Sequence, residues 1–136
     1  MAKAMIYTVN NSLADITDGS VIPLGTIIRR YGQSIRQDGN SITVCDRPGC
    51  QGYYDIDVVA TLEVAAAADY KVILEKDGTP VIGGVAEINP TPAGAILPFP
   101  IHIPVKNACG GTAGLSLRLV GGDAKAINVT TVVEKL

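Results

Sequence analysis

The stretch Gly52–Val64, "GYYDIDVVATLEV", constrains the fold of this chain more than any other. Tyr54, Ile56, Val58, Ala60, Leu62 and Val64 fall on one side of an extended backbone. Tyr53, Asp55, Asp57, Val59, Thr61 and Glu63 fall on the other. Period two sustained over thirteen residues fits a strand with one face in a core and one facing water or a partner.

The same alternation recurs downstream. Leu115, Leu117 and Leu119 alternate with Ser116 and Arg118, and Ile127, Val129, Thr131 and Val133 oppose Asn128, Thr130, Val132 and Glu134. Further strands are predicted over Ile6–Val9, Val21–Arg30, Ile42–Cys45, Tyr70–Lys76, Val81–Ile88 and Ile96–Val105. Between them lie "TDGS", "GQSIRQDGN", "DRPGCQ", "KDGTP", "NPTPAG", "NACGGTAG" and "VGGDAK", rich in the residues that turn a chain. The stretch Tyr70–Ile88 reads as a hairpin with Asp77-Gly78 at its tip. The alanines of "EVAAAADYK" are too few to sustain a helix and mark a crossover between strands. With Gly 15, Pro 8 and no tryptophan, the composition suits the same answer: an all-β chain in two packed sheets, a sandwich or jelly roll.

At 136 residues the chain is long enough for one domain with its own core. Apolar residues at 47 % against charged ones at 18 % exclude a disordered chain. A net charge of −2 argues against a nucleic-acid partner, which calls for a basic face. No apolar run approaches the roughly 18 residues of a membrane span. The opening "MAKAMIYTVNNS" lacks the apolar core of a secretory signal, so synthesis in the cytosol is expected.

Few residues carry recognisable chemistry. Cys45 and Cys50 flank Asp-Arg-Pro-Gly and, with Cys109, make an odd count. Their spacing is not the redox C-x-x-C, and a zinc site lacks ligands, since only Cys109 and His102 remain and both lie far along the chain. Two states stay open: a local Cys45–Cys50 disulfide across the turn, closing too small a loop to stabilise much, or reduced, partly buried thiols. The single histidine, His102 in "PFPIHIPV", has no evident nucleophile or orienting partner in sequence. Asp55 and Asp57 share a strand face, where a solvated or salt-bridged pair competes with a site for a hard cation. Their use on a sugar is disfavoured by the shortage of aromatic residues for stacking. The glycine-rich turns lack the Lys-Ser/Thr and helix of a phosphate loop. No cofactor, metal or catalytic residue is expected, and the chain reads as a non-enzyme.

In the order of its elements the chain resembles the C1q/TNF-like jelly roll. Gly52-Tyr53-Tyr54 opens the long strand, Leu74 to Gly78 ends a strand in Lys-Asp-Gly, and the closing strand runs into "VVEKL". Within that superfamily Arg29 to Gly32, Asn107 to Cys109 and Val133 to Lys135 make it similar to small virion proteins of tailed phages and prophages, head decoration or fibre proteins. The resemblance implies a homotrimer on the virion surface, made in the bacterial cytoplasm and docked on major capsid or other virion proteins by shape complementarity. The jelly-roll domain is expected over residues 21–136, and the polar "TVNNSLADITDGS" makes residues 1–20 the candidate arm or docking segment, adding a strand to a larger assembly or lying in a groove. Tyr53, Asp55, Asp57, Val59, Ile73, His102 and Val132 are then the expected trimer-interface residues. Asp55 and Asp57 stand where relatives often carry apolar side chains, so either the trimer packs differently or carboxylates meet near its axis. The alternative is a host-receptor or carbohydrate-binding module of a phage fibre or tail, with its function in loops 89–95 and 106–114.

Overall fold

A computed structural model describes residues 4–46, 52–107 and 111–136. Their strands are β1 (Ala4–Asn10), β2 (Ala14–Ile16), β3 (Thr26–Tyr31), β4 (Ile35–Asp38), β5 (Ser41–Cys45), β6 (Gly52–Val64), β7 (Tyr70–Lys76), β8 (Thr79–Ile88), β9 (Ile96–Asn107), β10 (Thr112–Val120) and β11 (Ala124–Lys135). One sheet runs β3-β1-β11-β6-β9, with β2 also pairing β11; the other runs β4-β5-β10-β7-β8. All pairings are antiparallel.

The core lies between the sheets and follows the alternation of the sequence. Tyr54, Ile56, Val58, Ala60, Leu62 and Val64 of β6 are at most 1 % exposed, and Leu115, Leu117 and Leu119 of β10 meet them from the second sheet. Phe99, Ile101 and Val105 of β9 and Tyr70, Val72 and Leu74 of β7 complete the buried centre. Asp77 and Gly78 both adopt positive φ, as a two-residue hairpin turn requires, and Lys76 faces Thr79 across it. Residues 65–68 form bends, so the alanine run is a crossover.

Four local expectations change. Residues 4–16, expected within a docking arm, are built into the sandwich: β1 lies between β3 and β11, and Ala4, Ile6 and Thr8 are buried. The run Val21–Arg30 is not one strand. Val21 makes an isolated bridge to Arg118, Ile22 and Leu24 plug the core, and β3 begins only at Thr26. Pro23 and Gly25 break the run, and Gly25 (φ +83°) is required, because a Cβ there would lie 2.1 Å from the Val9 carbonyl oxygen. The stretch "GQSIRQDGN" is not all turn, since Ile35–Asp38 pairs with β5. In β11 a bulge between Ala126 and Asn128 takes Ile127 out of phase, so Ala126 occupies the core with Val129, Thr131 and Val133.

The two edges of the six-stranded sheet differ. β9 carries Pro98, Pro100 and Pro104, opposite Thr61, Val59 and Asp55 of β6. These positions share the side of β9 that points away from β6, so the ladder keeps its donors and the outer edge loses three. β3 has no proline, and all six of its residues are exposed.

Candidate functional site

The outward face of the six-stranded sheet gathers most of the residues singled out in the sequence. Odd-numbered residues of β6 point outward, placing Tyr53 (49 % exposed), Asp55, Asp57 and Val59 (38 %) in one line. Asp57 faces His102 on β9 and Val132 on β11; Val132 faces Tyr7 on β1, which faces Arg29 on β3. One row across the sheet thus reads Arg29, Tyr7, Val132, Asp57, His102. Ile73 is not part of this face. It sits on β7, between Val85 and Arg118, on the outer side of the other sheet. The alternation of β7 established that Ile73 points outward but not which sheet carries it.

The face has its own electrostatics. His102 Nε2 lies 3.1 Å from both carboxylate oxygens of Asp55, with side chains 65 % and 33 % exposed. The hydrogen bond to Asp55 raises the His102 pKa above its ordinary value, Asp55's charge adds to this, slight desolvation opposes it, and Asp57's charge reinforces it. No hydroxyl or thiol is hydrogen-bonded to His102 among the described residues, so the pair lacks the nucleophile of a hydrolytic triad. The described residues also hold no group of three or more His, Cys, Asp or Glu placed to bind a metal within one subunit.

A second polar centre lies inside the sandwich, and sequence reasoning missed it. Asp46, directly after β5, is 4 % exposed and reaches across to the other sheet. Lys135 Nζ on β11 lies 2.7 Å from Asp46 Oδ1, and Tyr54 Oη on β6 donates to the same oxygen at 3.0 Å. Asn107 Nδ2 on β9 donates to Asp46 Oδ2 at 2.7 Å and to the Gly111 carbonyl at 2.8 Å. Gly52 makes room, since a Cβ there would stand 2.6 Å from Asp46 Oδ1. Burial pushes the Asp46 carboxyl upward, but hydrogen bonds from Lys135, Asn107 and Tyr54, with the lysine charge, outweigh it and hold the pKa below its ordinary value. Tyr54 is driven the other way, upward, by burial and then by its bond to the Asp46 carboxylate and that group's charge. The available clue was Tyr54 itself: a tyrosine on the core-facing phase of a strand needs a partner for its hydroxyl.

Cys45 is half-buried, and Thr112 Oγ1 lies 3.4 Å from its sulfur. Cys50, the other half of the expected disulfide, lies outside the described residues, as does Cys109. Near loop 89–95 there is an open cleft of about 430 Å³, lined in part by Asp15, Glu63, Gly94, Asp123 and Lys125. It has no aromatic side chain against which a sugar would stack.

No family model and no curated relative matches the sequence. Solved structures do match over nearly the whole chain. Murine APRIL at pH 5.0 aligns with a TM-score of 0.73 at 11 % identity, covering 98 % of each chain. The globular domain of the zebrafish complement 1qA protein aligns at 0.67 and 11 % identity, covering 98 % of this chain and 96 % of the other. The PRD1 vertex protein P5 aligns at 0.63 and 11 % identity, covering 100 % of this chain and 99 % of the other. Two antiparallel sheets in this strand order, with matches of that extent, place the chain in the C1q/TNF-like jelly-roll fold.

Proposed function

We propose that this chain is a non-enzymatic structural protein of a phage particle, a homotrimeric decoration or surface component that binds by shape. One observation carries the proposal: Tyr7 and Val132, with Val59 on the diagonal, form a short apolar band on the outward face of a sheet whose opposite face is already buried, and Tyr53 lies farther along β6, beyond Asp55 and Asp57. Tyr53 and Val59 are 49 % and 38 % exposed in the single subunit. Covering that band with further copies buries it and brings the Asp55–His102 pairs of neighbouring subunits close together. The fold is shared with a vertex protein, with APRIL and with a complement 1qA globular domain, none of them named as an enzyme, which supports a surface-assembly role over catalysis. The vertex neighbour also supports a virion location, with capsid or other virion proteins as partners.

Sizing by light scattering at micromolar concentration tests the trimer. The native chain is expected at three times its sequence mass, and Val59→Arg, which puts a charge in the apolar band, is expected as a folded monomer. The control Leu13→Arg changes a residue 73 % exposed and away from the band, and should leave the trimer intact. A monomeric native chain overturns the proposal.

A further inference from the structure

The buried centre around Asp46 holds three groups that together form a reactive set. Lys135 supplies a primary amine, Asn107 a carboxamide, and Asp46 a carboxylate that holds the first with Oδ1 and the second with Oδ2. Each oxygen-to-nitrogen distance is 2.7 Å. The Asp46 side chain is 0 % exposed and that of Lys135 16 %, while Asn107 as a residue is 2 % exposed. The second Asn107 hydrogen bond, to Gly111, fixes the plane of its amide. Tyr54 bounds the site, with the Lys135 nitrogen 6.0 Å from its ring centre. An amine and an amide held by the two oxygens of one carboxylate share a water-poor site, and that carboxylate stands where it can carry a proton between them.

We propose that Lys135 and Asn107 become joined by an intramolecular isopeptide bond, formed by the folded chain itself with Asp46 as its proton carrier. Asp46 takes one proton from the Lys135 ammonium, freeing the lone pair on Nζ. Nζ attacks Cγ of Asn107, forming the new C–N bond. A second Nζ proton passes to the departing nitrogen, the Cγ–Nδ2 bond breaks, and ammonia leaves. The five protons on the two nitrogens end as one on the new amide, three on ammonia and one on Asp46. No oxidant, cofactor or second protein is needed. A buried ion pair is replaced by two neutral groups, removing a charge separation that is costly to hold in a dry interior, and escape of ammonia draws the exchange forward. The bond would tie the last residues of β11 to the end of β9, beside the Asp46 crossing between sheets.

The test is the intact mass of the purified full-length protein under denaturing conditions, compared with Lys135→Arg prepared identically. The native chain is expected lighter than its sequence by one ammonia, and digestion should yield a branched peptide joining Asn107 to Lys135. Lys135→Arg keeps the positive charge without the amine and should show its full sequence mass. Asp46→Asn should do the same, with circular dichroism confirming that each variant keeps its strands. Full sequence mass in the folded native protein overturns the proposal. So does an ammonia loss that persists in Lys135→Arg, which would mark a change elsewhere, or a water loss with Lys135 joined to Asp46.

Discussion

Asp46 and Asp55 lie close in sequence, and each meets a basic partner, yet they sit in opposite surroundings. Asp46 is sealed between the sheets with a lysine, a tyrosine and an asparagine; Asp55 shares an open face with a histidine that is 65 % exposed. At the inner pair, removing one member strands a desolvated charge. At the outer pair, water and salt replace whatever is removed. An ion pair's contribution is set by what would solvate each partner in the other's absence, not by distance alone.

The largest effect should come from Asp46→Ala. It leaves Lys135 buried without its carboxylate and removes the acceptor of Tyr54 and Asn107, a loss of about 3–5 kcal/mol by analogy with other broken buried pairs. Urea denaturation measures it, and a loss below about 1 kcal/mol would erase the contrast with the surface pair. Acid should reveal the same centre. With the Lys135–Asp46 ion pair intact, the folded Asp46 pKa lies below its unfolded value, so its contribution is present above the unfolded value and is lost as pH falls through the folded one. The melting temperature of the native protein should therefore fall more steeply in acid than that of Asp46→Asn; parallel curves would remove Asp46 from the acid response.

Tyr54→Phe comes next. It deletes one of the donors to Asp46 and keeps the ring, which should cost about 1–2 kcal/mol, the range for a buried hydrogen bond to a charged group. The smallest effect belongs to the outer pair. His102→Gln should leave the melting temperature at pH 7 and low protein concentration unchanged within measurement. The folded His102 pKa is raised, so whatever its pair with Asp55 contributes is complete below the unfolded histidine value and disappears as pH rises through the raised one. An NMR titration of the imidazole should show a downward shift in Asp55→Asn. An unchanged titration would separate His102 from Asp55 in solution.

Much of the fold was legible because period-two alternation reports burial directly. The faces of β6 and β10 and the Asp77-Gly78 turn follow from it. β1 was harder. Its core-facing phase is Ala4, Ile6, Thr8 and Asn10, and the two polar members made a buried strand resemble a solvated arm. Thr8 faces Thr131 across the ladder, and both hydroxyls are buried without a partner among the described residues, an arrangement propensity does not anticipate. Ile73 shows the limit of alternation, which gives inside and outside but not the sheet. The Asp46 centre was the least legible part. Its members stand at the ends of four different strands or turns, and topology alone brings them together.

The prolines of β9 set a limit on how such chains can accumulate. Strand-by-strand growth of a polymer needs two receptive edges on each sheet, one to accept and one to be accepted. In the six-stranded sheet, Pro98, Pro100 and Pro104 blunt one of the two by removing three outward donors, so pairing is favoured only through the other edge, where it ends after a single event, β3 against β3. Copies of this chain can crowd together at high local concentration while this sheet terminates its own fibre.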